Sequence, residues 1–393
     1  MSTNRRIYLD FNATAPLVPA ARDAMVEAMA DVGNPSSVHA EGRAARTLVE
    51  EARSQVAALV GASPRAVTFT SGATESIALA LAPEIEIAGR ALHSDALIIS
   101  GVEHPAVRAG GRFSADRIKQ IAVDKNGVVD VVALEAMLGR HDAAGRRPFV
   151  SVMAANNETG VLQPLQEIAS RVHAADGFFH SDAVQIAGKL PFDLAGSGAD
   201  LISISSHKLG GPQGAGALIA CHENIRVPPI QRGGGQERGI RAGTENVAAI
   251  AGFGAAAEEA ARDLAAEGGR LARLRERLEA GIRAVAPNVV FLSAGAPRLP
   301  NTSCFAVPNV AAETAVIAFD LEGIAVSAGA ACSSGKVGPS TALAAMQVPA
   351  EVAKGAVRVS LGWNTTENDI SRFLEIWERV HTNLGRRRTE RAA

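Results

Sequence analysis

The chain has almost no charge bias: 39 Lys and Arg against 41 Asp and Glu leave a formal net charge of -2 over 393 residues. Without a strongly basic surface, nucleic acid is not the expected partner. Cysteine is scarce too, with only Cys221, Cys304 and Cys332. Three scattered thiols make neither a disulfide framework nor metal-ligand spacing, so no metal site is expected. No stretch approaches the roughly 18 to 20 uninterrupted apolar residues of a membrane span. The start, MSTNRRIYLDFNATAP, has no apolar signal region. The expected localisation is therefore cytoplasmic, with no membrane partner. A G-x-x-x-x-G-K-[ST] run is missing as well, which argues against a nucleotide P-loop. There is no internal repeat and no low-complexity linker.

What is present is a 47% hydrophobic chain long enough for two or three units. Helical periodicity is expected over 20–29 and 40–60, with Gly61 closing the second stretch. From Val67 onward, short apolar runs at 67–69, 97–100, 149–153, 178–180, 201–204 and 216–220 alternate with helical stretches. This rhythm predicts an α/β fold with a large, mostly parallel sheet covered by helices. Open sheets of that kind place ligands at the carboxyl ends of their strands. Near 255 the pattern changes to a long helix reaching about 286, with Gly268-Gly269 as the expected kink. Strands are expected near 301–306 and 356–361, and then an amphipathic helix through Ile370, Phe373, Leu374, Trp377 and Val380. The expected division is a large domain over 14–255 and a smaller α+β domain made of 1–13 and 256–393.

Three strand-end features suggest chemistry. The turn from Ser71 to Ser76 should open a helix whose first N-H groups, with the Thr74 hydroxyl, suit a phosphate. Asp182 follows an apolar run; it is either a helix cap or surface aspartate, or the partner of a cationic ring nitrogen. Lys208 lies where an apolar strand breaks into Ser-Ser-His-Lys. Alone it is also compatible with a solvated lysine at a strand end. Together, a phosphate grip, a carboxylate for a pyridinium and an amine for a Schiff base are what pyridoxal 5'-phosphate requires.

Seven runs carry a more specific signal: TSGATES (70–76), VEHPAV (102–107), NNETG (156–160), SDAVQ (181–185), SSHK (205–208), GGGQERG (233–239) and RAGTEN (241–246). In this order they resemble the cysteine desulfurases of the NifS/IscS type, in the class V aminotransferase group of fold-type I pyridoxal phosphate enzymes. The resemblance extends from about Tyr8 to about Val380. It implies that Lys208 carries the cofactor as a Schiff base, Asp182 pairs with its ring nitrogen, and Asn157 and Gln185 lie near its phenolic oxygen. It implies Ala73, Thr74, Ser205 and His207 around the phosphate. Thr244 would reach the neighbouring subunit's cofactor, making a homodimer. His104 would stack on the ring and move protons; before Pro105 it is also compatible with a loop cap.

Cys332 lies among small residues, SAGAACSSGKVGPS (327–340), that cannot build much core and should be mobile. A thiol of pKa about 8.5 is only slightly ionised at pH 7, yet that fraction is strongly nucleophilic. In the resembled family this position takes sulfur from the substrate as a persulfide. Cys304, and Cys221 with it, read instead as small buried apolar residues. Arg358 alternates onto one strand face with Ser360, and its guanidinium fork suits a substrate carboxylate, with Asn34 assisting by resemblance. The implied reaction converts L-cysteine to L-alanine and an enzyme persulfide, passed to a sulfur-accepting scaffold or carrier, as in iron-sulfur cluster assembly. Selenocysteine lysis and class V transamination remain the alternatives. Ser206 and the Ala-Gly-Ala-Ala-Cys run depart from many relatives by small-for-small changes, which bear on subgroup more than on chemistry.

Overall fold

The computed structural model describes residues 6–142, 147–308, 310–329 and 340–392. Cys332 lies outside the described residues. At the centre is a seven-stranded sheet in the order Val67–Thr70, Gly216–Ala220, Leu201–Ser205, Phe178–Asp182, Pro148–Ser151, Ala96–Ser100, Ile118–Ile121. Gly216–Ala220 runs antiparallel to both neighbours, and the other pairings are parallel.

Period-two alternation distributes each strand between two cores. Ile98, Val150, Ile202, Ile204, Ala217 and Ile219 face one, shared with Val49, Val56 and Phe253. Leu97, Ile99, Phe149, Leu201 and Leu218 face the other, with Ile77, Leu79 and Phe113. Burial on both faces explains why these strands read as continuous apolar runs. Ile118–Ile121 escaped that reading because it is an edge strand, with Lys119 and Gln120 exposed.

The helices Pro19–Ala30 and Ala40–Leu59 match the expected periodicity and pack on Val247–Arg262. Gly61, at φ 66°, ends the second of them in the left-handed region that glycine adopts without strain. The long helix expected up to residue 286 is two helices, Val247–Arg262 and Leu264–Val285. Their break falls at Asp263 (φ -133°, ψ 33°) and not at Gly268-Gly269, which lie inside the second helix. Glycine weakens a helix without obliging it to bend, and here the second helix is anchored by Leu271, Leu274, Leu278 and Ile282.

Those leucines belong to a separate core with Ile7, Leu9, Phe305, Val357, Phe373 and Trp377. It covers a four-stranded antiparallel sheet ordered Val290–Phe291, Thr302–Ala306, Ala356–Ser360, Ser327–Ala328. Trp377 is 1% exposed and stacks on Phe319, which stacks on Phe373. Each such fully buried side chain stabilises by about 1.5–3 kcal/mol. The last helix spans Glu367–Ala392. Among the described residues no helix is long and apolar enough to cross a membrane.

Candidate active site

The carboxyl ends of the parallel strands and the turn after Thr70 enclose a cleft of about 650 Å³, a size suited to a small cofactor with its substrate. Its walls include Ala73, Thr74, His104, Asn157, Asp182, Gln185, Ser205, His207 and Lys208. Residues spread over 136 positions of chain therefore converge because their strands end side by side.

The phosphate turn is shaped by two glycines. Gly72 has φ 155°, and a side chain on Gly216 of the adjacent strand would meet Gly72 Cα at 2.7 Å. This close approach brings the start of helix Ala73–Ala80 to the cleft. Glu75, in the same turn, accepts from Ser71 N and Oγ and pairs with Arg241 at 3.0 Å.

Lys208 ends a single 3-10 turn, Ser206–Lys208, immediately after Leu201–Ser205. Its Nζ donates to Asn12 O at 2.6 Å and to Ala13 O at 2.8 Å. His207 meets Thr14 Oγ1 through Nδ1 at 3.1 Å, and burial, with Lys208 and Lys189 nearby, pushes its pKa down to about 4. It is therefore a neutral ring at physiological pH.

Asp182 is 5% exposed, and among the described residues its carboxylate accepts one hydrogen bond, from Val184 N at 3.0 Å. Burial pushes its pKa up, with His104, Val184 N-H and Lys208 opposing. A carboxylate so placed on a cleft wall calls for a cationic partner. His104 lines the cleft, and, as its position before Pro105 allows, its Nδ1 accepts from Ala106 N at 3.1 Å as the cap of Pro105–Arg108. Burial lowers its pKa, so the ring is neutral, and with Nδ1 accepting, the proton is assigned to Nε2.

Three further candidates lie elsewhere. Arg358 is 1% exposed, behind the cleft wall, where Nη2 donates to Asp10 Oδ1 at 2.6 Å and Nη1 to Asn157 O at 2.9 Å. Asn34 is exposed and accepts from Ser36 N. Thr244 is exposed and does not line this cleft. Sequence reasoning passed over Thr14, Asn12 and Lys189. Asn12 and Thr14 carried a weak signal, polar residues in the loop directly after the first strand. Lys189 carried another, following Gln185 at a spacing of four.

A class V aminotransferase family model matches residues 7–373. The chain belongs to the class V aminotransferase family. Within it, the chain is 42% identical to a cysteine desulfurase of Cereibacter sphaeroides, covering 94% of each. It is 39% identical to the cysteine desulfurase IscS of Dictyoglomus turgidum, covering 97% of this chain and 95% of the relative. Among solved structures, a NifS-like protein from Rickettsia africae superposes with TM-score 0.85 at 36% identity, over 96% of this chain and 100% of that one. The fold is that of fold-type I pyridoxal phosphate enzymes, and pyridoxal phosphate is the family's cofactor. The cleft fits it: a buried carboxylate short of partners, a lysine at a strand end, and hydroxyl and N-H donors at the turn are all on its walls.

Proposed function

We propose that the protein is a pyridoxal-phosphate-dependent cysteine desulfurase that moves the sulfur of L-cysteine onto Cys332 and then to an acceptor serving iron-sulfur cluster assembly. The observation that carries this reading is the meeting of Lys208, Asp182 and the Ser71–Thr74 turn on one cleft, in a chain about 40% identical to cysteine desulfurases over nearly its whole length.

In this reading Lys208 holds the cofactor covalently and Asp182 faces its ring nitrogen. Ala73, Thr74, Ser205 and His207 surround the phosphate, while Asn157 and Gln185 serve the phenolic oxygen. Bound there, pyridoxal phosphate supplies an electron sink that acidifies the substrate's Cα-H. Lys208, once released, carries that proton. His104 offers Nε2-H to the substrate's sulfur; acting as a base requires it to give up the Ala106 N-H. Arg358 takes the substrate carboxylate with Asn34, a role supported by its Nε, which has no partner among the described residues.

The Cys332 thiolate attacks the substrate sulfur, forming an S-S bond as the C-S bond breaks. The pair from the broken bond stays on carbon, which takes a proton and leaves as L-alanine. Support for Cys332 comes from the other two thiols. Burial pushes Cys304 up to about 12 and Cys221 up to about 11, so neither supplies thiolate near neutrality. The same reading makes the protein a cytoplasmic homodimer with Thr244 reaching the second subunit's cleft. It divides the chain into 14–255 and 1–13 with 256–393, supported by the separate apolar core around Leu278 and Trp377.

The test is incubation with pyridoxal phosphate and L-cysteine, with alanine, sulfide and the mass of Cys332-containing peptides measured. One added sulfur on Cys332 is expected. Cys332→Ala should keep the visible colour of the cofactor and lose sulfide release; undiminished turnover in that variant sinks the nucleophile assignment.

A further inference from the structure

Lys189 is a buried base for which the reaction above has no use. It is 8% exposed, and among the described residues no carboxylate pairs with it. An amine or ammonium removed from water must find acceptors. Those of Lys189 are two side-chain amide oxygens: Nζ donates to Gln185 Oε1 at 2.5 Å and to Asn12 Oδ1 at 3.1 Å. Burial, reinforced by Lys208 and Arg358, holds its pKa well below the usual lysine range.

Both acceptors belong to residues that reach the site. Gln185 lines the cleft, and its Nε2 donates to Asn12 O at 3.0 Å. That same oxygen accepts Lys208 Nζ at 2.6 Å. Asn12 is itself 1% exposed and held from the other side by Ser360 and Thr302. A primary amide can turn over and exchange its oxygen for its NH2, and only its partners decide between the two orientations. Lys189 Nζ donates to both amide oxygens, and that pair of donations holds Oε1 of Gln185 on its own side. What Gln185 retains for the cleft is then the second hydrogen of Nε2.

We propose that Lys189 is a positioning residue for the cofactor: it locks the Gln185 amide so that a donor, and not an acceptor, meets the cofactor's phenolic oxygen and favours its ionised form. The inference rests on the cofactor reading of this cleft. The cavity beside Lys189 is lined by further charged groups, Glu259, Arg262, Asp263 and Glu267. Lys208, Arg358 and His207 lie near Lys189, Asp182 and His104 face Lys208 from neighbouring strand ends, and Asp10 pairs with Arg358.

The experiment follows the visible absorbance of the bound cofactor against pH in wild type, Lys189→Met, Gln185→Leu, the double variant and Lys189→Arg. Loss of a donor to the phenolic oxygen should move the protonation midpoint of Lys189→Met up by about one pH unit. Lys189→Arg, which keeps the donors and has a cavity of about 340 Å³ beside it, should stay near wild type. On the Gln185→Leu background Lys189→Met should add nothing. A residue that only packs would lower the thermal midpoint and leave the absorbance midpoint in place, and that result overturns the proposal. A full shift persisting in the double variant also overturns it, because Lys189 would then act through charge and not through Gln185. Should Lys189→Met fail to fold, Lys189→Gln, one atom too short to span both acceptors, replaces it with the same expected direction. Wild-type protein that takes up no pyridoxal phosphate would overturn the cofactor reading and this inference with it.

Discussion

Arg358 and Asp10 form a pair at 2.6 Å with the guanidinium almost wholly buried. Asp10 Oδ2 also accepts from Ser327 Oγ at 2.7 Å, and Ser327 lies opposite Arg358 across the small sheet. The carboxylate thus fixes the orientation of the guanidinium fork and ties it to the strand Ser327–Ala328. Such a pair is retained for geometry more than for stability, since burying two charges offsets much of their attraction.

Arg358→Lys keeps the charge and loses the planar fork. A charged hydrogen bond contributes about 1.5–3 kcal/mol, so KM for L-cysteine should rise about ten- to a hundredfold, with kcat changing less. Steady-state alanine formation measures this. An unchanged KM would place the carboxylate elsewhere.

Asp182→Asn removes the negative charge that, in the proposed reading, faces the cofactor's ring nitrogen, while preserving shape. The cofactor should still bind, as seen by its absorbance, and kcat should fall by at least about a hundredfold, as expected when a charge stabilising the reacting centre is lost. Loss of binding with unchanged kcat in the remaining holoenzyme would contradict the assignment.

Glu103→Gln addresses a carboxyl that burial raises from its ordinary 4.5 to about 8, with Asp182 adding and Ser100 and Met153 N-H opposing. Its folded pKa lies above its unfolded one. Its stabilising contribution is therefore fully present below pH 4.5 and is lost as pH rises through 8. Glutamine cannot ionise, so the thermal midpoint of the variant should gain on wild type steadily between those limits. Parallel melting curves across that range would show that Glu103 ionises without cost.

Asn12→Ala should be among the most damaging substitutions outside the apolar cores. It takes one of Lys189's two acceptors and removes acceptors and donors shared with Asn301, Thr302 and Asn157. With about 1–3 kcal/mol for each buried group left unpaired, a total of about 2–5 kcal/mol is expected by urea unfolding. A loss below that range would mean that water replaces the amide.

Cys304→Ala tests the division of labour among the thiols. Cys304 is fully buried in Thr302–Ala306, so the change should cost about 1 kcal/mol of stability and leave sulfide release intact. Loss of turnover in a folded Cys304→Ala protein would move the nucleophile away from Cys332.

How much of this was legible in the chain follows from what local sequence reports. Strand runs such as Leu201–Ser205 and Phe178–Asp182 were readable because residues buried on both faces must be continuously apolar, and their polar ends were readable as ligand positions. Lys208, Asp182 and the Ser71–Thr74 turn stood out by position, because a strand fixes where its last side chain goes, but their roles came from their combination and from the motif order that carries the resemblance. The edge strand Ile118–Ile121 and the break at Asp263 were not readable, because one lacks the apolar signal and the other lacks any breaking residue.

Motif order and strand-end chemistry, then, were determined by the sequence itself. Tertiary structure decided which oxygen of Asn12 each of Lys208 and Lys189 would reach, that Arg358 would be held by Asp10, and that Glu103 and Asp182 would be desolvated. Asn12 meets Ser360 across nearly the whole length of the chain. Desolvation and hydrogen bonding are sums over neighbours remote in sequence, and no local pattern carries them until the N-terminal segment folds back against the strand ends.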